Sequence, residues 1–565
     1  MNLVNKHPRL ILSLIAAIAL LPGIFQLPLM DRDEPRFSHA TIEMMDRNDW
    51  VVPYFNDEYR FDKPPLTYWW MRLHYTVFGK HEFAARLHST TSAWLIAILV
   101  FQMAGSFGLS RERSVLAGAM WLCCFQVLIH GRMAVADMPL ILFLVLSQWA
   151  QWEMLRDRGG KFLSKWFWIF HVAVGFGFLA KGPLAYLIPL LTLGVYALIL
   201  ALSKKSEVQR ESLRQTAKVF GMTMSGIPLS FGIMALWGIP AMIQTDGQYF
   251  DIGIGKHVVE RATVSMNKRK VVYWIYLVYM MPFLLPWSAQ IIRTIKSGFD
   301  PKSPQFRAQY LIAWFISPFL IFSFMKTQLP HYILPGYPAF MLLLAGMIGL
   351  PFKRSVGGRI VSVICITFAG LISLAAFVGC VLIPTEGEVA PMKGLFLSLA
   401  LLGAFLFVGG IMVYRNGKVA GWQGLVFAGL ASLMMIPAGY FGRQAHATVR
   451  LMEYLSTDRA TERAAWGFQE GTLTWYPSDF WKLGHPDRVE GFAEADEMLF
   501  QTRRWRVDDD FLEDLKAGDT PAPVSDKTEE AEGFVKKFGM QEVARIQGWN
   551  PGNSCWVEII VAKRP

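Results

Sequence analysis

The chain has 565 residues, of which 53% are hydrophobic and 18% charged, against roughly 25% charged residues in a soluble globular protein. That balance excludes an ordinary soluble enzyme and points to a polytopic membrane protein with a soluble portion. The formal net charge of +11 lies largely in short loops between apolar runs, which makes it a topology signal rather than a nucleic-acid footprint. Of five cysteines, Cys123, Cys124, Cys365 and Cys380 lie in apolar segments and Cys555 stands alone in a polar tail, so cysteine usage defines no disulfide framework.

Lys6 and Arg9 open the first apolar run, which ends at Pro28-Leu29-Met30 without a small-residue cleavage site; it reads as an uncleaved first span. Apolar runs near the ~20 residues needed to cross a bilayer then recur almost to residue 440. They start at about residues 9, 88, 114, 138, 166, 184, 219, 272, 309, 332, 358, 393 and 420, about thirteen predicted helices. With the N-terminus inside, the inside loops are Arg111-Glu112-Arg113, Arg156 to Lys165, Lys204 to Lys218, Arg293 to Arg307, Lys353-Arg354 and Arg415 to Lys418, all carrying positive charge. This alternation predicts a cytoplasmic N-terminus and a periplasmic C-terminus.

The first outside loop, residues 30–85, runs Met30-Asp31-Arg32-Asp33-Glu34-Pro35-Arg36-Phe37 and continues to Phe61-Asp62-Lys63-Pro64-Pro65-Leu66-Thr67-Tyr68-Trp69-Trp70. Charges at this density do not belong in hydrocarbon. The loop reads as two surface helices. Asp33 and Pro35 suit the opening of the first, whose Phe37, Ala40, Met44 and Met45 share a face. Leu66, Trp69, Trp70, Leu73 and Val77 repeat at helical spacing in the second, with aromatics typical of the bilayer interface.

The other outside loops bring further candidates: Arg132 and Asp137, Lys181, His257 with Glu260 and Arg261, and Lys326, His331 and Tyr332. Each has a bland alternative. Asp137 precedes Pro139 and would serve as a helix cap. Lys181 would snorkel to the interface. His257 and Arg261, one turn apart, would form a solvated face, and Lys326 and Tyr332 would anchor at the interface. Asp33 beside Glu34 resists such an account, because Asp31 and Arg36 crowd the same turn.

Together these residue types suit transfer from a phosphate. Lys63 and an arginine can fix a lipid phosphodiester, and Asp33 can take the proton of an acceptor hydroxyl. A departing phosphate monoester needs its charge neutralised more than it needs a proton, so one base and a cationic cradle suffice for a single displacement with inversion. Asp62 and His257 are the candidates for a divalent metal ion by residue type alone.

These motifs carry a resemblance. Asp33-Glu34-Pro35-Arg36-Phe37, then Asn48-Asp49-Trp50-Val51-Val52-Pro53, then Phe61-Asp62-Lys63-Pro64-Pro65-Leu66-Thr67-Tyr68-Trp69, look like the bacterial aminoarabinose transferases and their protein O-mannosyltransferase relatives. So do Ala136-Asp137-Met138-Pro139-Leu140, Ala180-Lys181-Gly182-Pro183 and Lys326-Thr327-Gln328-Leu329-Pro330-His331-Tyr332. The resemblance covers about residues 10 to 350 and implies the GT-C fold: a polytopic α-helical membrane protein followed by a soluble α/β domain. It implies transfer of a sugar from a polyprenyl phosphate, usually undecaprenyl phosphate, to an acceptor at the periplasmic face of the bacterial inner membrane, lipid A being the best-known acceptor. By the same resemblance Asp33 is the catalytic carboxylate and Asp137 a supporting acid, Lys63 and a basic residue of the 257–261 stretch hold phosphate, and Tyr332 lines the donor site. From the residues themselves, Glu34 joins Asp33 as a catalytic candidate, and Asp62, Arg36, Lys181, His257 and Arg261 are candidates for the substrate site. The chain departs from the family at Phe37, Arg60 and Asp62, where Tyr, Tyr and Glu are usual, and in the spacing of His257 and Arg261.

After about residue 443 the composition changes to that of a soluble α/β domain. Leu473-Thr474-Trp475-Tyr476 and Trp556 to Ala562 read as strands, Asp509 to Ala517 and Glu529 to Phe538 as helices, and Thr520 to Thr528 as a loop. Two other function classes compete with the glycosyltransferase. A transporter or flippase tends to place charge near the bilayer midplane on broken helices, whereas here it clusters in outside loops. A membrane-anchored binding protein would not need the lysine, the aspartates and the aromatic loop together.

Overall fold

The computed structural model describes residues 2–30, 33–157, 161–202, 207–253, 272–297, 305–350, 355–417, 419–456, 461–468, 470, 472–475, 481–483, 485–489, 491–506, 514 and 522–565. Its larger part is helical. In chain order the helices are α1 (Pro8–Leu20), α2 (Asp33–Asp46), α3 (Leu66–Phe78), α4 (Glu82–Ala104), α5 (Arg111–Leu122), α6 (Phe125–His130), α7 (Asp137–Arg156), α8 (Lys165–Lys181), α9 (Leu184–Leu202), α10 (Glu207–Ser225) and α11 (Ile227–Gln244). They continue with α12 (Ile275–Phe283), α13 (Ile291–Ser297), α14 (Gln305–Phe322), α15 (Tyr337–Met347), α16 (Val356–Leu382), α17 (Ala390–Arg415), α18 (Ala420–Leu433) and α19 (Met435–Ala445).

A helical segment stands at each of the expected starts, but not every one is a full span. Among the described residues six helical runs are long and apolar enough to cross a membrane, and a pair bent by 116°, Ile275–Phe283 with Trp287–Lys296, is a broken span or a re-entrant loop. Pro8–Leu20 and Ala308–Phe322 are shorter apolar helices. Three buried indoles find backbone partners within the bundle, as a membrane interior favours. Trp121 donates to Ala93 O at 3.0 Å, Trp287 to Met120 O at 2.9 Å and Trp314 to Pro335 O at 3.0 Å.

The segment between α1 and α4 forms the expected pair of helices, but α2 is not a surface helix: from Glu34 to Met44 every residue except Arg36 is buried. In α2, Phe37, Ala40 and Met44 are buried against Tyr68, Met71 and Tyr75 of α3. The apolar stripe of α3 divides: Leu66, Trp69 and Trp70 pack against the buried core, and Leu73 and Val77 are exposed, which suits a helix end lying against lipid. A tight hairpin joins the two helices, β1 (Tyr54–Phe55) pairing antiparallel with β2 (Glu58–Tyr59). Its loop residues Asn56 and Asp57 have φ of 55° and 67°, a left-handed conformation that Asn and Asp adopt more readily than other side chains.

The last apolar helix ends at Ala445, so the composition boundary at 442/443 falls inside its final turn. The soluble domain is one sheet in the order β4-β3-β5-β8-β7, with β6 also on β5. Its strands are β3 (Arg463–Trp466), β4 (Lys482–Leu483), β5 (Glu497–Arg506), β6 (Ser525–Asp526), β7 (Gln541–Asn550) and β8 (Cys555–Lys563). β3 runs parallel to β4 and β5, and the other pairs are antiparallel. β8 is buried on both faces. Val557, Ile559 and Val561 pack towards Ala447 and Leu451, and Ile560 and Ala562 towards Phe534 of α21 (Thr528–Lys537) on the other side. Residues on both faces being apolar explains why this strand reads as a continuous apolar run.

One expectation is overturned. Thr472–Trp475 is a short helix, α20, not a strand. Leu473 is fully buried and Trp475 stacks on Tyr75 of α3 at 6.1 Å, so docking on the helical part overrides the strand propensity of this aromatic stretch. The expected helix at Asp509 to Ala517 lies outside the described residues apart from Asp514.

Candidate active site

The N-terminus of α2 is held by a buried lock. Arg86, in the first turns of α4, donates from Nε to Glu34 Oε1 at 2.8 Å and from Nη2 to Glu34 Oε2 at 2.9 Å. Its remaining donors go to the carbonyls of Ile24 at 3.1 Å, Leu27 at 2.7 Å and Pro28 at 2.7 Å. Glu34 also accepts from Met30 N and Ala134 N, each at 2.8 Å. Both side chains are 1% exposed. A carboxylate has about four lone-pair sites, and all four are filled from within the protein. This removes Glu34 from the catalytic set expected from the sequence. The same reasoning applies to Arg132, whose donors are taken by Pro22 O at 2.9 Å, Ala19 O at 2.6 Å, Leu128 O and Ser432 Oγ.

Asp33, the exposed neighbour of the lock, is electrostatically coupled to two groups of cations. The first lies in the loop after the hairpin. Arg60 donates to Tyr68 OH at 3.0 Å and to Asp62 Oδ2 at 3.1 Å, and its guanidinium lies over the Phe37 ring at 5.3 Å. Lys63 Nζ reaches Asp62 Oδ1 at 2.9 Å and Asp62 O at 2.9 Å. Burial by itself lowers the pKa of Arg60, but Tyr68, Asp62 and Asp33 around it leave it raised above the usual value. Tyr249 fixes the loop from α11's side by donating from its hydroxyl to Lys63 O at 2.6 Å.

The second group comes from the ends of α7 and α8. Asp137 is the first residue of α7, after the N-cap Ala136, and its Oδ1 accepts from Lys181 Nζ at 2.6 Å, with His331 Nε2 at 3.7 Å. Lys181 lies over the Tyr332 ring at 5.8 Å, and the His130 and His331 rings are 4.9 Å apart. Lys181 therefore does not snorkel outwards, and Asp137 is not a cap. The charge of Asp33 acts on both Arg60 and Lys181, which puts it within electrostatic reach of each group.

The loop at 48–53 is pinned beside this centre. Arg72 of α3 stacks over Trp50 at 3.7 Å and donates to Asp49 O at 2.9 Å, and Trp237 of α11 donates to Val51 O at 2.8 Å. Arg36 is half-buried on α2, and Lys326 is exposed. His257, Glu260 and Arg261 lie outside the described residues. No three His, Cys, Asp or Glu side chains converge to hold a metal ion among the described residues, and Asp62 is already engaged by Arg60 and Lys63.

In the sequence Arg60 stands out only as a departure from a family pattern, and Arg86, His130 and Tyr249 belong to none of the motifs. Arg86 had a usable signal, since a lone cation at the head of an apolar helix demands a partner.

Residues 11–252 match the family model of dolichyl-phosphate-mannose-protein mannosyltransferases, called PMT. An undecaprenyl phosphate-alpha-4-amino-4-deoxy-L-arabinose arabinosyl transferase of Enterobacter sp. (strain 638) is 26% identical over 503 residues, 84% of this chain and 88% of the relative. Its counterpart in Yersinia pestis (strain Pestoides F) is 28% identical over 348 residues, 61% of this chain and 60% of the relative. The fold is that of ArnT from Cupriavidus metallidurans, solved bound to undecaprenyl phosphate, with a TM-score of 0.71 at 17% identity over 98% of this chain and 97% of that one. By motif, by sequence along most of its length and by fold, the chain resembles the ArnT and PMT membrane glycosyltransferases.

Proposed function

We propose that the chain transfers a sugar of the aminoarabinose type from undecaprenyl phosphate to lipid A or another envelope acceptor, with inversion and at the periplasmic face. The observation that carries this reading is Asp33 held, exposed, within reach of two cation groups on a fold shared with a protein solved with undecaprenyl phosphate. Asp33 takes the proton of the acceptor hydroxyl as its oxygen attacks the anomeric carbon. The bond from that carbon to the phosphate oxygen breaks, and its electron pair leaves with the polyprenyl phosphate. Lys63 binds the donor phosphate and stabilises the growing charge, Asp62 orients Lys63, and Arg60 secures Asp62. Asp137 orients Lys181 as a second cation, and Tyr332 walls the donor side. Arg36, His257 and Arg261 add positive charge for the phosphate or the acceptor. Glu34 positions the turn that carries Asp33.

The orientation rests on the basic bias of alternate loops, with residues 1–442 as the membrane domain and 443–565 as a periplasmic α/β domain. Reporter fusions at Lys205 and Pro565 are expected on opposite sides of the membrane. The reaction is tested with the purified full-length chain, undecaprenyl phosphate-aminoarabinose and lipid A, read by mass spectrometry. The expected result is one sugar added to lipid A with release of undecaprenyl phosphate; donor turnover only with another envelope glycan moves the acceptor, and no turnover with any overturns the reading. The family match over residues 11–252 favours one alternative, transfer of a hexose to a protein hydroxyl, which the same assay with polyprenyl-phosphate mannose and a Ser/Thr peptide separates.

A further inference from the structure

At the opposite end of α4 from Arg86, about 28 Å away at 1.5 Å per residue, lies a cavity of about 780 Å³. Its walls come from the start of α1, the end of α4, the start of α5 and the side of α7. Lys6, His7, Arg9 and Arg111 supply four basic side chains to it, and Ser114 and Trp149 line its inner wall with no acidic side chain among the lining residues. Lys6, Arg9 and Arg111 are exposed. Glu153, one turn from Trp149 on α7, is occupied by Trp149 Nε1 at 3.2 Å and by Arg156 at 3.4 Å, so it does not neutralise the cluster.

The cavity continues into an apolar track. Leu10 lines it, and Leu10, Leu14 and Ile18, successive turns of one face of α1, are each more than half exposed. A cationic cup opening onto an apolar ridge matches an amphiphile with an anionic head and acyl chains. A free phosphate would use the cup and leave the ridge uncovered.

We propose that this cavity is a binding site for an anionic phospholipid headgroup, separate from the donor site and on the opposite membrane face. Lys6, Arg9 and Arg111 hold the phosphate and the headgroup, Trp149 packs against the glycerol region, and the acyl chains lie along Leu10, Leu14 and Ile18. The site does not depend on the reaction proposed above.

Native mass spectrometry of the full-length chain tests this, with phosphatidylglycerol and phosphatidylcholine of identical acyl chains as probes and inorganic phosphate as competitor. Retention of one phosphatidylglycerol roughly tenfold over phosphatidylcholine is expected. Lys6→Gln with Arg9→Gln and Arg111→Gln should reduce it by roughly tenfold or more, and the single variants Arg9→Gln and Arg111→Gln should each reduce it in part. A control removing Lys161, Lys165 and Lys296, basic residues outside the cavity, should leave it unchanged. Equal retention of the two lipids, an equal loss in the control, or displacement of the lipid by millimolar inorganic phosphate would each overturn the proposal.

Discussion

Asp33 has two flanks built from the same residue types and used in opposite ways. On one side Glu34 and Arg86 are 1% exposed, and every lone pair of the acid is taken by the protein. On the other, Asp62, Lys63, Asp137 and Lys181 are between 12% and 17% exposed and pair as acid and cation at the edge of the accessible surface. Charge alone therefore does not mark a catalytic group in this loop. The informative quantity is how much of a group's hydrogen-bonding capacity the protein has already consumed. A filled, buried carboxylate fixes geometry, whereas a cation–acid pair at the accessible surface can exchange its partner for a phosphate.

The largest effect expected from this contrast falls on Asp33 itself. Asp33→Asn keeps the size of the side chain and its ability to start a helix but removes the proton acceptor, so the variant should fold and bind donor while turnover falls by roughly 10²–10⁴. Near-normal turnover in the reconstituted transfer assay would leave Asp33 a helix-terminal residue and undo the distinction between the flanks.

The closed flank should fail differently. Arg86→Ala leaves the Glu34 charge buried without its partner, which typically costs ~3–5 kcal/mol, and frees the carbonyls of Ile24, Leu27 and Pro28. A large drop in thermal stability in detergent is expected, with activity per folded molecule falling as α2 loosens. Glu34→Gln, which keeps some of the bonds, should be milder. A stable Arg86→Ala protein with unchanged donor affinity would show that the lock does not place Asp33.

The open flank should respond in binding. Lys63→Ala should weaken undecaprenyl phosphate binding by ~1.5–3 kcal/mol, the usual loss for a charge-assisted contact, with little change in melting temperature. Titration of donor affinity checks this, and an unchanged affinity together with a lower melting temperature would move Lys63 to the structural side of the comparison.

The helical body was legible because membrane solvent simplifies the pattern: long apolar runs need no partner to be recognised, and the basic loops between them set a register. The cationic centre was legible in part, since Asp33, Lys63, Asp137 and Lys181 announce themselves as charges between apolar runs. The pairing of Glu34 with Arg86 across 52 positions left no local trace, and the run assigned to that span began after Arg86. In the soluble domain β5 and β7 escaped notice for a related reason. The β5 sequence Glu-Met-Leu-Phe-Gln-Thr-Arg-Arg-Trp-Arg has its first four residues buried, including Glu497 in its pair with Arg463 at 2.9 Å, so alternation is lost. β7 is an edge strand, largely polar and half-covered.

The smallest expected effect tests how the soluble domain bears on the loop. Asn56, at the tip of the hairpin before Arg60, donates to Trp481 O at 3.1 Å and accepts from Trp481 N at 2.9 Å, a reciprocal pair between the hairpin and the sheet domain. Each such bond is worth roughly 0.5–1.5 kcal/mol, and Asn56 also holds a left-handed backbone at φ 55°. Asn56→Gly removes the two bonds and keeps the backbone, whereas Asn56→Ala removes the bonds and adds the strain of a β-carbon at positive φ. If the domain steadies the hairpin, both variants should speed proteolytic release of the domain, the alanine variant more, and both should raise the apparent donor constant modestly through the Arg60–Asp62–Lys63 turn. Should the glycine variant match the parent in both measurements while the alanine variant does not, backbone conformation at the tip and not contact with Trp481 sets the loop, and the domain's hold on the site runs through Trp475 and Tyr75 instead.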